Sequence, residues 1–242
     1  MTSMRMRKLI AILAAVVAAA IWAPATSAGK LPTPRASHFG RHSNLVTNQW
    51  FPLARGSVWV YEGQEAGKQS RDVMSVTRKV KTITGIRAAV VADRLFLNGR
   101  LAERTADYYA QDKRGTVWYL GENTAELNAQ GKVTSREGSF LNGHEGAKGG
   151  IFMPANPRVG QSFQQESFKG QAEDRFRILD LATSVTTPAV SSQNAMLTKE
   201  TTPLEPGVVD HKYYVQGVGN VKEQQVAGSP PERADLVFFR AG

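Results

Sequence analysis

The residues best able to do chemistry are concentrated in the run Leu101 to Gln111. In extended form Glu103, Thr105, Asp107, Tyr109 and Gln111 fall on one face, and Ala102, Arg104, Ala106, Tyr108 and Ala110 on the other. Glu103 and Asp107 are four residues apart, which separates their Cα atoms by roughly 13 Å at strand rise. That is too far to share a proton directly, yet suitable for flanking a bound sugar or a row of waters. If the sheet carrying this row closes on itself, burial raises the carboxyl pKa values and a third acid from a neighbouring strand can complete an acid/base or metal site. If the sheet stays open, the row is an ordinary solvated face. The sequence allows both.

Other chemistry has less to draw on. His38 and His42 would share a helix face, but Pro34 and Gly40 argue against a helix there. His144 sits with Glu145 in a Gly-rich stretch that could reach a cleft, and His211 follows Asp210 on an expected strand, facing away from it. No Gly-x-Ser-x-Gly elbow, His-Glu-x-x-His pair, phosphate loop, dinucleotide fingerprint or EF-hand loop occurs. No cofactor or metal is expected. The chain has no cysteine, which excludes thiol catalysis and thiolate metal sites. Aromatic residues cluster in the first half, from Trp50 and Phe51 to Trp118 and Tyr119, supplying core volume and stacking faces for sugars or apolar ligands. Tyr109, Trp118, Thr105 and His144 are the candidate ligand-binding residues. Asp112, Glu122, Glu166 and His144 are candidate helpers to Glu103 and Asp107.

These residues must be positioned by short β segments punctuated by turns. Val58 to Tyr61, Val73 to Thr84, Ile86 to Asp93 with Leu95 to Leu97, Leu101 to Gln111 and Thr116 to Gly121 read as consecutive strands. Asn98-Gly99 between two of them is the strongest short hairpin signal, since both turn positions want positive φ. Further segments are expected near 161–168, 173–181, 195–201, 209–215, 218–226 and 236–239. Between the halves lies an irregular stretch, residues 122–160, with five glycines from Gly138 to Gly150, expected to be a long loop or flap. No run of about 11 residues carries capped helical periodicity. The expected fold is mostly β: one large antiparallel meander forming a curved sheet or open barrel, with a long Gly-rich loop.

The first residues carry Arg5, Arg7 and Lys8 and no acid, then an apolar stretch from Leu9 to Trp22, then Pro24 and the small-residue site Thr26-Ser27-Ala28. This is the pattern of an export signal cleaved after Ala28, and the apolar stretch is short of the ~20 residues of a membrane span. Residues 1–28 are thus read as signal peptide, 29–48 as an extended arm, and 49–242 as one antiparallel β domain. No cysteine follows the signal, so there is no lipid attachment site. The product is expected to be free in the periplasm or outside the cell, with no membrane span.

Removing residues 1–28 leaves 27 basic residues against 21 acidic and lowers the net charge from +9 to +6. That balance suits an anionic envelope surface. The basic residues are dispersed and no nucleic-acid module occurs, so nucleic acid is not an expected partner.

One set of residues carries a resemblance. Phe51-Pro52-Leu53 with Gly56 and Trp59, Thr105 to Asp112, Gly115 to Tyr119, Thr198-Lys199-Glu200, Pro203 to Gly207, and Lys212-Tyr213-Tyr214 to Gly219 resemble a widespread set of exported bacterial proteins of unassigned function. The resemblance covers most of the chain after residue 28 and implies no site residues. The meander resembles, more loosely, lipocalin-like barrels and periplasmic lipoprotein carriers, which hold apolar ligands. The functional expectation is a non-enzymatic envelope protein binding a small apolar or amphipathic ligand in a β-sheet cavity. The alternative is a secreted carboxylate-dependent enzyme or metal-binding protein centred on Glu103 and Asp107.

Overall fold

In a computed structural model, residues 32–242 are described. The residues read as signal peptide and the first residues of the expected arm lie outside them. The described residues form a 3-10 turn at Ala36–His38 and fifteen strands. The first five are β1 (Val58–Glu65), β2 (Lys68–Ile83), β3 (Ile86–Leu97), β4 (Arg100–Gln111) and β5 (Val117–Leu127). They pair in sequence as an antiparallel meander. Ala66-Gly67, Thr84-Gly85 and Asn98-Gly99 all have positive φ and make the three tight two-residue turns joining β1 to β4.

A second meander runs through β11 (Arg175–Thr186), β12 (Ser191–Thr201), β13 (Val209–Val215), β14 (Gly219–Ala227) and β15 (Arg233–Arg240). Its last strand pairs antiparallel with β1, so the two meanders form one sheet. The stretch between them keeps its glycine-bearing turns but also contains strands: β6 (Val133–Ser135), β7 (Phe140–Leu141) and β8 (Lys148–Met153), all paired to β5. It is followed by β9 (Ser162–Gln164) and β10 (Glu166–Ser167).

β9 and β10 nearly close the sheet into a barrel. They are two halves of one short extended run: Ser162–Gln164 bonds to β11, and Glu166–Ser167 bonds to β8 on the opposite edge. The run therefore straddles the single seam. Its close approach explains Gly150 in β8, and the backbone of β5 explains Gly149 beside it. A Cβ on Gly150 would lie 2.1 Å from the Gln164 carbonyl oxygen, and one on Gly149 2.2 Å from that of Tyr119.

Alternation sends one set of side chains into the barrel. The interior cluster includes Trp59, Tyr61, Val76, Val91, Tyr109, Val117, Tyr119, Met196, Tyr214 and Leu236. Residues 46–53 close one end of it, where Val46 bridges to Leu53, and Trp50, Phe51 and Leu53 join the interior cluster. Asn48 anchors this plug through its side-chain amide, which donates to the Gly115 and Pro154 carbonyls. A second apolar cluster lies on the outside of β3, β4 and β5, where Phe39 covers Ile86, Tyr108, Trp118 and Leu120. Pro34 and Phe39, both inside the expected arm, are thus already buried.

If the seam depends on bare backbone at residue 150, Gly150→Ala should destabilise the protein by about 3 kcal/mol, as overpacking of a filled interface does. Gly40→Ala, where an added Cβ meets nothing within 4 Å, should be neutral. Urea unfolding of the two variants tests this, and equal midpoints would contradict it.

Candidate functional site

The polar row on β4 is enclosed. Glu103, Thr105 and Asp107 are 5%, 6% and 5% exposed, and Tyr109 is buried with them. They share the lumen with inward positions of almost every other strand. Moving along the barrel from the plug, the inward side chains change from apolar or aromatic to polar and acidic. On β2 they run Val76, Met74, Asp72; on β13 Tyr214, Lys212, Asp210; on β12 Met196, Thr198, Glu200.

The lumen leaves a cavity of about 170 Å³. Its aromatic floor is formed by Phe51, Tyr109, Tyr119 and Phe152. Tyr109 stacks on Tyr119 at 4.9 Å, and Phe152 packs edge-on to Tyr109 at 4.9 Å. Among the described residues its walls carry nine carboxyl side chains, including Asp72, Asp107, Glu200, Asp210 and Glu223, and Lys212 is the only basic one.

A bulge brings further acids to the same side. The β4–β5 register shifts between Tyr108 and Tyr109, next to Gly121, whose φ is 145°. A Cβ there would lie 2.5 Å from the Phe140 carbonyl oxygen. The shift moves β5 from Val117 and Tyr119 facing inward to Glu122, Thr124 and Glu126 facing inward. Glu122 then stands opposite Asp107, Thr124 opposite Thr105 and Glu126 opposite Glu103. The hydroxyls share the load: Thr105 donates to Glu103 at 3.1 Å, Thr124 to Glu122 at 3.1 Å, and the Tyr119 hydroxyl to Asp107 at 2.6 Å.

The opposite wall holds a partly buried ammonium. Lys212 Nζ lies 3.0 Å from a Glu200 carboxylate oxygen and 3.4 Å from one of Glu223. Burial alone would lower its pKa, but Glu200 and Glu223 outweigh that and hold the ammonium well above the usual lysine value. Burial pushes Asp210 up to about 7, with Lys212 opposing and Glu223 adding to the rise. Burial also raises Asp72 to about 6, against a hydrogen bond with Asp93. Asp72 Oδ1 is enclosed and has no hydrogen-bond partner among the described residues. Farther along, burial and the neighbouring Glu232 push Glu65 up to about 9, so its carboxyl is protonated at neutral pH.

The structure thus brings together Glu103, Thr105, Asp107 and Tyr109, with Glu122 and Glu166 nearby. It does not bring the other candidates to them. Trp118 is on the alternate face of β5, packed against Phe39 on the outer wall, with its indole N–H donating to Asp112. Asp112 itself accepts from the backbone N–H groups of Arg114 and Thr116 and organises a turn. His144 is exposed in a turn, 3.9 Å from Glu145. Among the described residues no imidazole lines the lumen, and no three His, Asp or Glu side chains converge on a metal-sized point. Asp72, Glu200, Asp210, Lys212 and Glu223 were not singled out by sequence. Their alternation in Thr198-Lys199-Glu200 and Asp210-His211-Lys212 was visible, but nothing local shows that those strands face Glu103 across a lumen.

No family model matches the chain, and no curated protein matches it. Two solved structures do. One is an exported-protein candidate with a YmcC-like fold from Bacteroides fragilis, 12% identical, with a TM-score of 0.46 over 80% of this chain and 99% of that one. The other is a lipoprotein candidate from Parabacteroides distasonis, 14% identical, with a TM-score of 0.41 over the same shares. No helix among the described residues is long and apolar enough to cross a membrane.

Raised carboxyl pKa values give the fold an unusual pH dependence. Glu65 and Asp210 keep protons in the folded state that the unfolded chain has already released, so the stability these two groups contribute is fully present below the unfolded values near 4 and is lost as pH rises toward about 7 for Asp210 and 9 for Glu65. His211, lowered by burial, acts oppositely but only below about 6.5. Between pH 6.5 and 8.5 stability should therefore fall, by up to about 1.4 kcal/mol per pH unit per group. Glu65→Gln should flatten the profile and raise stability at pH 8.5. Urea unfolding across that range checks both, and a flat wild-type profile would contradict them.

Proposed function

We propose that this is an exported binding protein whose barrel lumen takes a small amphipathic cation, its amine held by the acidic wall and its apolar body against the aromatic floor. One observation carries the reading: the lumen already solvates an ammonium, that of Lys212, through Glu200 and Glu223. Asp72, with an enclosed carboxyl oxygen that has no partner, supplies a second place for a donor in the same cavity. A buried acceptor without a donor costs free energy that a bound N–H would return.

The cavity size narrows the ligand. About 170 Å³ holds a group of five or six water-sized units, below the ~300 to 1,000 Å³ of pockets for larger organic ligands. Long acyl chains and polyprenyls are a poor fit, and so is any ligand carrying a negative charge. Export rests on the N-terminal pattern of basic, apolar and small residues. Chemistry at Glu103 and Asp107 has less support, since Thr105 and the Tyr119 hydroxyl already engage those carboxylates and no imidazole stands beside them.

Calorimetric titration of the signal-free chain with n-butylamine, phenethylamine and butanoate tests this reading. Both amines should bind saturably and butanoate should not. Asp72→Asn, which keeps size and loses charge, should weaken amine binding about tenfold. Affinity should also fall as pH drops from 8 to 5, because Asp210 and Asp72 take up protons near 7 and 6 and lose the charge that attracts the cation. Butanoate binding with no amine binding would overturn the proposal.

A further inference from the structure

The alternation that fills the lumen with acid also loads the outer wall with arginine. On β3, β4 and β5, Arg94, Arg104, Ala106, Asn123 and Ala125 occupy the positions between the inward acids. Register places Arg94 directly opposite Arg104, with Ala92 opposite Ala106 beside them. From the turn after β6, Arg136 reaches back over β5 and donates from Nη1 to the Asn123 side-chain oxygen at 2.9 Å. The three arginines rim a groove of about 280 Å³ floored by Ala92, Ala106 and Ala125.

Two features of this groove call for an anion. Like charges directly opposite on neighbouring strands are destabilising, and neither Arg94 nor Arg104 forms an ion pair with a described residue. Asp93 and Thr105 also border the groove, but they belong to the inward set, where Asp93 is hydrogen-bonded to Asp72 and Thr105 to Glu103. The alanine floor leaves the space between the guanidinium groups unfilled.

We propose that this groove is a phosphate-binding site. A guanidinium presents a planar fork of donors matched to phosphate oxygens. Three of them around one groove suit a doubly charged oxyanion better than a single carboxylate, which one bidentate arginine would satisfy. The site lies on the opposite side of the wall from the lumen and does not depend on what the lumen binds. Its ligand is a phosphate group, either free in solution or displayed on a lipid headgroup.

The test uses the signal-free chain, with inorganic phosphate as the soluble probe and phosphatidic-acid vesicles as the lipid one, phosphatidylcholine vesicles serving as control. Phosphate should bind saturably with a dissociation constant below about 5 mM and raise the melting temperature. The double variant Arg94→Gln/Arg104→Gln should lose at least about tenfold in affinity. Because the substitutions are exposed and remove a like-charge pair, the variant without phosphate should melt no lower than wild type, which separates lost binding from lost folding.

Vesicle binding that free phosphate competes away and the double variant lacks would identify a lipid headgroup as the source. Phosphate binding without vesicle binding would identify a soluble one. Absence of saturable phosphate binding, or binding undiminished in the double variant, would overturn the proposal.

Discussion

Everything distinctive about this protein depends on closing the sheet. An antiparallel sheet of two meanders, joined through β1 and β15, would leave the edges of β8 and β11 unpaired and one face open to water. The extended run from Ser162 to Ser167 bonds to one edge with its first half and to the other with its second. Gly149 and Gly150 have no side chain because neighbouring backbone passes where one would be. A single short segment therefore converts a solvated face into an enclosed compartment.

Enclosure changes what the inward residues are. On an open face Glu103, Asp107, Glu200 and Glu223 would be ordinary hydrated carboxylates. Inside, their charge must be met by neighbours, and threonine and tyrosine hydroxyls, an ammonium and retained protons are the means used. The polarity gradient from the Trp50–Leu53 plug toward Glu65 gives the lumen an apolar end and an acidic end. The outer wall receives the opposite charge, so a chain of modest net charge presents an acidic interior and a basic exterior.

Much of this was legible in the sequence because it is local. Alternation in Leu101 to Gln111 is a property of one strand, and Asn98-Gly99 sets its hairpin through positive φ at both positions. Glu122 stood out by residue type, but Thr124 and Glu126 were hidden by a bulge: at Gly121 the phase of β5 reverses, so a simple period of two mistakes the inward set. Trp118 was misplaced for a related reason, since its neighbour Tyr119 is the inward residue and an aromatic pair does not show which member faces the lumen. His144 drew notice by residue type, yet its turn projects it into solvent. Lys212 and its carboxylates come from three successive strands, but only register across β12, β13 and β14 brings their side chains together. The Gly-rich stretch looked like a loop because glycine reads as flexibility, whereas at Gly149 and Gly150 it marks close packing.

The central claim is that the lumen is built to hold an ammonium, and Lys212 provides its most direct test. Lys212→Ala removes the tethered ammonium and leaves Glu200 and Glu223 facing a space shaped like the lost side chain. Melting curves of this variant with n-butylamine, compared with sodium chloride at equal ionic strength, measure whether a free ammonium returns to that place. The account predicts that the amine raises the variant's melting temperature by a few degrees beyond the salt control. An amine effect no larger than that of salt would contradict it.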